Sequence, residues 1–259
     1  MKSLFFILFV VAMSTISFAQ QKNLVTVNTV KPKNGQKMAF EAAYKAHVTK
    51  FHKGDQSIAV YEILTGPYEG HYHLVGPMSA YEDFDKERSD DATHSLDLDK
   101  TFFPHLESTM NGTFRLLDSL SVHQQVQAEK FVVTVRHLKE GANQGNLRRE
   151  LSRSAKVINE MKTKFFENLS LSVFEQLWDG SDQVVVEIRN LGDGFKSLEP
   201  NYYGATPAGS PSFRDVYSKM YGNSEWDTRV KDMEGMYGKV EVYLMRLRKD
   251  MSTPPPPAK

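Results

Sequence analysis

Residues 23–36 read NLVTVNTVKPKNGQ, and residues 131–144 read FVVTVRHLKEGANQ. The two stretches align without a gap at an offset of 108. Val25, Thr26, Val27, Lys31 and Gln36 stand over Val133, Thr134, Val135, Lys139 and Gln144. Each is a β-branched run that ends in a turn rich in Lys, Gly and Asn. Each also leads into an amphipathic stretch. Phe40, Tyr44, His47, Val48 and Phe51 share one helical face after the first, and Leu147, Leu151, Ser154, Ile158, Met161 and Phe165 share one after the second. A strand that turns directly into a helix, twice in one chain, is the mark of an internal repeat.

Two further blocks follow in the same order. YEILTGPYEGHYHLV (61–75) aligns to FEQLWDGSDQVVVEI (174–188), pairing Glu62 with Glu175 and Leu64 with Leu177. TMNGTFRLLDSL (109–120) aligns to DMEGMYGKVEVY (232–243), pairing Gly112 with Gly235. In the first copy the pattern predicts strands over 24–30, 57–64, 71–76 and 114–124, with helices over 37–52 and 97–111. The second copy is expected to carry strands near 169–177, 183–190 and 238–247 and helices over 213–221 and 225–235. Strand–helix–strand twice per copy is the split βαβ, or ferredoxin-like, arrangement. Its helices cover one sheet face and leave the other bare, so two copies can close their bare faces on each other. The expected fold is α+β: two tandem ferredoxin-like halves, residues 20–128 and 129–250, forming a pseudo-dimeric barrel.

VTVNTVKPKNGQKMAFEAAYKAHVTKF, and again FVVTVRHLKEGANQGNLRRELSRSAKVINEM, resembles the opening of dimeric α+β barrel proteins, which include the antibiotic-biosynthesis-monooxygenase-like group. The resemblance spans nearly the whole of the two halves and is one of pattern. It implies a barrel that most relatives build from two chains, here closed by one chain as a monomer. Members of that superfamily include cofactor-free oxygenases, haem-handling enzymes and proteins without a known reaction. None of its reactive residues has a matching motif here, so none carries over.

Before these halves, Met1-Lys2-Ser3 precedes an apolar run from Leu4 to Met13, with small residues at Ser17 and Ala19. This is the pattern of a secretory signal, residues 1–19, cut between Ala19 and Gln20. The run is shorter than the roughly 20 residues a spanning helix needs. The expectation is a protein exported to a bacterial periplasm or medium, without a membrane anchor. The sequence has no Cys, which excludes disulfides, thiolate chemistry and a lipidated Cys anchor. Thirty-two basic residues balance thirty-two acidic ones, so no overall field draws the chain to nucleic acid. The end, residues 251–259 with four consecutive prolines, reads as a disordered polyproline tail.

No GxGxxG, P-loop, HExxH or GxSxG motif is present, so no cofactor or reaction follows from a signature. Three constellations remain. On the strands, placing Val133, Val135, Val184, Val186 and Ile188 against the helices turns Arg136, Glu187, Glu241 and Tyr243 into the barrel, with Asn28 and Asp118 as first-copy counterparts. These ionisable groups read either as a salt-bridged network, in which Arg136 and Glu187 neutralise each other, or as a site in which Arg136 anchors an anionic or carbonyl-bearing small molecule with Glu187 and Glu241 beside it. Among the histidines, seven of eight lie in the first copy. His71 and His73 share a strand face and can chelate a metal with a third donor such as His47 or Glu62. The third constellation is the insertion 198–213, where Tyr202 and Tyr203 suit a lid. The leading expectation is a small-molecule site in a cavity between the sheets, of the cofactor-free oxygenase type. The alternatives are a non-catalytic interaction protein with a filled barrel, and a metal or haem site on first-half histidines.

Overall fold

The computed structural model describes residues 21–85, 92–123, 128–164, 170–177, 183–192, 194–198 and 211–254. The expected signal, Tyr202 and Tyr203, and the four prolines' end from residue 255 lie outside them. Eight strands form one closed barrel: β1 (Leu24–Pro32), β2 (Ala59–Ile63), β3 (Tyr72–Val75), β4 (Leu106–Leu116), β5 (Lys130–Leu138), β6 (Ser172–Leu177), β7 (Val184–Asn190) and β8 (Tyr237–Leu247). Around the barrel the order is β1-β3-β2-β8-β5-β7-β6-β4, and every pairing is antiparallel. Strands of the first half run in the order β4-β1-β3-β2, and those of the second run β8-β5-β7-β6. Five helices lie outside: α1 (Lys37–Phe51), α2 (Ala92–Asp97), α3 (Gln144–Lys164), α4 (Phe213–Tyr221) and α5 (Asn223–Met236). No helix among the described residues is long and apolar enough to cross a membrane.

The predicted stripes supply most of the buried helix positions; Phe51, Ile158 and Met161 are half-buried, and Phe165 lies outside the described residues. Phe40, Tyr44 and Val48 of α1 pack with Val30, Val60, Tyr72 and Leu74 on the outer sheet face. Leu147 and Leu151 of α3 pack with Val173 and Val185. Each such buried side chain contributes on the order of 1.5–3 kcal/mol. Helices α4 and α5 reach the molecule through α3, around Val157, Val216 and Tyr217. Ser212 caps α4: its hydroxyl accepts from the Asp215 N–H, and Asp215 accepts in return from the Ser212 N–H.

The two halves meet at two seams, β2 against β8 and β4 against β6. At the first, Glu62 sits opposite Arg246 and is ion-paired to it at 2.7 Å. At the second, Arg115 sits opposite Glu175 and is ion-paired to it. Gly66 locks the turn that follows β2. Its φ is +86°, and a Cβ there would lie 2.9 Å from the Val242 carbonyl oxygen, so only glycine lets the turn close on β8.

Three expectations are corrected. The helix expected over 97–111 is the short α2 plus a π turn over Leu98–Phe102, and β4 begins at Leu106. The helical stretch ends in a 3-10 turn over Phe103–His105, with Pro104 at its start where no N–H is needed, and Thr109, Thr113 and Phe114 continue as a strand along β1. This breaks the third repeat block, since Gly112 lies in β4 and Gly235 in α5. The tail also begins later than residue 251. Met251 is buried in the α1 core, and Ser252 and Thr253 accept hydrogen bonds from the N–H groups of Val60 and Ile58.

The largest correction concerns the strand faces. Val133, Val186 and Tyr243, with Val135, Ile188, Phe114 and Phe174, fill the barrel interior. Val135 sits opposite Glu241 and Val133 opposite Tyr243, so those two do point inward as expected. Arg136 and Glu187 lie on the other face, under the helices, and Asn28 shares the outer face with Val30 and Leu24. Asp118 stands outside the barrel on a short turn, paired with His123. The reason is enclosure. A small closed barrel buries its inner face on all sides, whereas the helices only partly cover the outer one, and Val240 and Val242 stay about half exposed there.

Candidate metal centre

Helix α1 buries one stripe against the sheet, and His47 falls on it one turn beyond Tyr44. The side chain is 1% exposed. Beyond Phe51 the chain leaves the helix: His52 is extended, while its N–H still bonds the Val48 carbonyl. That bend returns the His52 ring toward His47. On the facing segment, α2 presents His94. The Nε2 atom of His47 lies 3.1 Å from that of His94 and 3.2 Å from that of His52, and the latter two are 3.4 Å apart. Three ring nitrogens thus converge on one point.

The outer nitrogens fix which lone pairs face inward. His47 Nδ1 lies 2.9 Å from the Asp97 carboxylate, and His52 Nδ1 lies 2.9 Å from the Gln56 carbonyl. Both partners are acceptors, so each Nδ1 carries the proton and each neutral ring turns a bare Nε2 to the other. One proton on His94 Nε2 satisfies one contact and leaves the His47–His52 pair facing lone pair to lone pair. Burial holds both rings below the ordinary imidazole value, against the pull of Asp97 on His47 and of the Gln56 carbonyl on His52. The hydrogen bond from His47, with Lys50, holds Asp97 below the usual carboxylate range. Phe51 walls one side, its ring 5.0 Å from those of His47 and His94.

A metal bound by imidazole at about 2.0–2.1 Å in a tetrahedron separates its ligands by about 3.3–3.4 Å. The trio matches that spacing. The carboxylate and carbonyl behind the rings are the outer partners that orient metal-ligating histidines. A haem does not fit this trio: its iron takes one proximal nitrogen at the centre of a wide planar ring, and two further ring nitrogens within 3.4 Å of that nitrogen occupy the space of the ring.

Of the expected metal set, His47 belongs to this centre, and His71 and His73 do not. His73 points into the barrel, 2.8 Å from Thr29 Oγ1 and 3.0 Å from the Tyr243 hydroxyl, and burial pushes its pKa down to about 4. His71 stacks edge-on against Tyr68. Glu62, on the outer face, is tied to Lys37, Arg246 and Arg248. The expected metal set lacked His52 and His94. The available signal was a histidine pair straddling a helix end, joined to His94-x-x-Asp97 on a separate segment.

The expected ligand residues do not form one site. Arg136 makes a two-pronged pair with Glu187, at 3.1 Å on both prongs, and lies over the Tyr237 ring. Glu241 is buried and bonds His137 and Lys239 at the barrel end. Tyr243 bonds His73.

No family model matches the sequence, and no curated protein matches it. Solved structures do. An anthrone oxidase-like protein superposes with a TM-score of 0.51 at 12% identity, over 88% of this chain and 92% of its own. A mutant chlorite dismutase from Candidatus Nitrospira defluvii does so with a TM-score of 0.50 at 8% identity, over 89% and 94%. The likeness is one of fold: this chain is built as a dimeric α+β barrel, here closed within one polypeptide.

Proposed function

We propose that this chain is an exported, tandemly duplicated α+β barrel protein whose first half binds one transition-metal ion, of the zinc type, through His47, His52 and His94. The observation that carries the reading is the convergence of three Nε2 atoms within 3.4 Å, two of them with their outer nitrogens committed to acceptors. Neutral imidazole suits zinc, copper and nickel, and the tetrahedral spacing favours zinc. The test is metal analysis and calorimetric titration of the purified protein with zinc. One ion per chain is expected, and its loss in His47→Ala, His52→Ala and His94→Ala. A protein that takes up no zinc with all three histidines present sinks the reading.

Duplication is supported by the matching strand orders of the halves and by the twin Glu–Arg pairs at the seams. We further propose that the barrel closes within a monomer, which light scattering checks. Export rests on the Leu4–Met13 run. Recovery of intact Met1 from a cytoplasmic fraction would refute it.

A second reading keeps a small molecule at the barrel. It is supported by the inward polar groups His73, Tyr243, His137 and Glu241 among otherwise apolar neighbours. The aromatic and aliphatic filling of the interior favours the metal reading over it, and leaves the oxygenase-like reaction without a residue to carry it.

A further inference from the structure

We propose, resting on the metal reading above, that the ion keeps one coordination position open to solvent and takes there a small monodentate anion. Three observations combine. First, among the described residues the cluster has three ligands and no fourth His, Asp or Glu within reach. A structural zinc is closed by four protein ligands, and three leave a position for an exchangeable water or substrate atom. Second, the trio is asymmetrically buried. His47 is sealed on the sheet side, while His52 and His94 are only half-buried, so the missing corner of the tetrahedron points outward. Third, the charge balance of the described residues around the trio is positive. Among the described residues one carboxylate, Asp97, is hydrogen-bonded to the trio, and it is already held by His47 and by Lys50 at 3.1 Å. A divalent ion and the Lys50 ammonium against one carboxylate leave a net positive corner, which an anion from solvent neutralises.

Cobalt(II) reports on this without any assumed reaction, because its visible bands follow the number and type of its ligands. The full-chain protein is loaded with cobalt and titrated with sodium azide, and bound cobalt is measured after desalting. The expected result is one cobalt per chain, bands that shift saturably with azide, and cobalt retained. Bands that azide leaves unchanged on a fully loaded protein mean a closed site. They overturn this proposal and leave the metal reading standing. Cobalt stripped by azide also overturns it, since the anion then competes with the protein for the ion. A protein that binds neither cobalt nor zinc removes both.

Discussion

A polar cluster in the helical layer of one half can be set against one in the other, and the two solve their electrostatics in opposite ways. With Phe40 and Tyr44 laid over Leu147 and Leu151, His47 falls on Ser154, and Ala43 on Glu150. In the second half Glu150 is fully buried and answered from within. It accepts from Tyr217 at 2.8 Å and Arg149 at 2.9 Å, with Arg153 and Arg229 close by, while Ser154 donates back to the Glu150 carbonyl. The network ties α4 and α5 to α3 and asks for nothing from solvent. In the first half two bare imidazole nitrogens, those of His47 and His52, face each other beside that of His94, and a cation reconciles all three. Positions one turn apart on the two aligned helices thus hold a self-neutralised pin in one half and an ion-ready cluster in the other.

Importing each half's residue into the other sharpens that contrast. The largest effect is expected from Glu150→Ala, the first-half residue. Removing a buried carboxylate leaves Arg153 and Arg229 facing each other without it, a loss of about 3–5 kcal/mol. Urea melts read this directly. A loss below about 1 kcal/mol makes the network an ornament of the surface.

The barrel interior offers the next swap. His73 lies over Val186 in the repeat alignment, and both face inward. Burial lowers His73 to about 4, so the unfolded chain takes up its proton first as the pH falls. Its contribution to stability is intact above about pH 6.5, declines down to about pH 4, and is constant below. The difference cannot exceed about 3.4 kcal/mol, and residual water contact reduces it. His73→Val is expected to flatten that part of the pH–stability curve. An unchanged slope between pH 6.5 and 4 moves the titration to another group.

Third comes the ion itself. Zinc at about 100 times its dissociation constant adds about 2.7 kcal/mol to a folded state that alone binds it. His47→Ser, again the other half's residue, is expected to melt at the metal-free temperature with or without zinc. Equal zinc stabilisation of both proteins locates the ion elsewhere.

Much of this contrast was legible in the sequence, and some was not. The strand–turn–helix openings stand in the structure as read, and so do the helical stripes as far as Met161, because local periodicity sets them. The barrel followed from the need of two bare sheet faces to cover each other. The faces of β5 and β7 came out reversed, while Glu241 and Tyr243 of β8 face inward as expected. β7 is apolar on both sides, with Val185 beneath α3 and Val184 and Val186 in the barrel, so period two cannot choose between faces. The metal ligands were half legible. His47 stood out on its stripe, but the partners that complete it come from a helix end and from α2, 42 residues further on. Spacing along one strand favoured His71 and His73 because it reports only on neighbours in sequence.

That reversal sets the smallest prediction. Had Arg136 faced a cavity, its replacement would cost ligand and little stability. It lies instead on the helix side, paired to Glu187, with 23% of its side chain and 17% of that of Glu187 exposed. Burial works against its charge, and Glu187 more than offsets this, holding the guanidinium above its ordinary value. Arg136→Met leaves Glu187 partly buried without its partner. The cost is expected to be about 1–2 kcal/mol, less than a fully buried pair because water still reaches both groups. The double variant Arg136→Met, Glu187→Leu removes the stranded charge, and Leu is what the first half carries at the matching position, Leu74. It is expected to recover most of the loss. Loss in the single variant with recovery in the double is the signature of a pair that serves only the fold. A double variant as unstable as the single one means that the Arg136 stem over Tyr237, rather than its charge, carries the contribution.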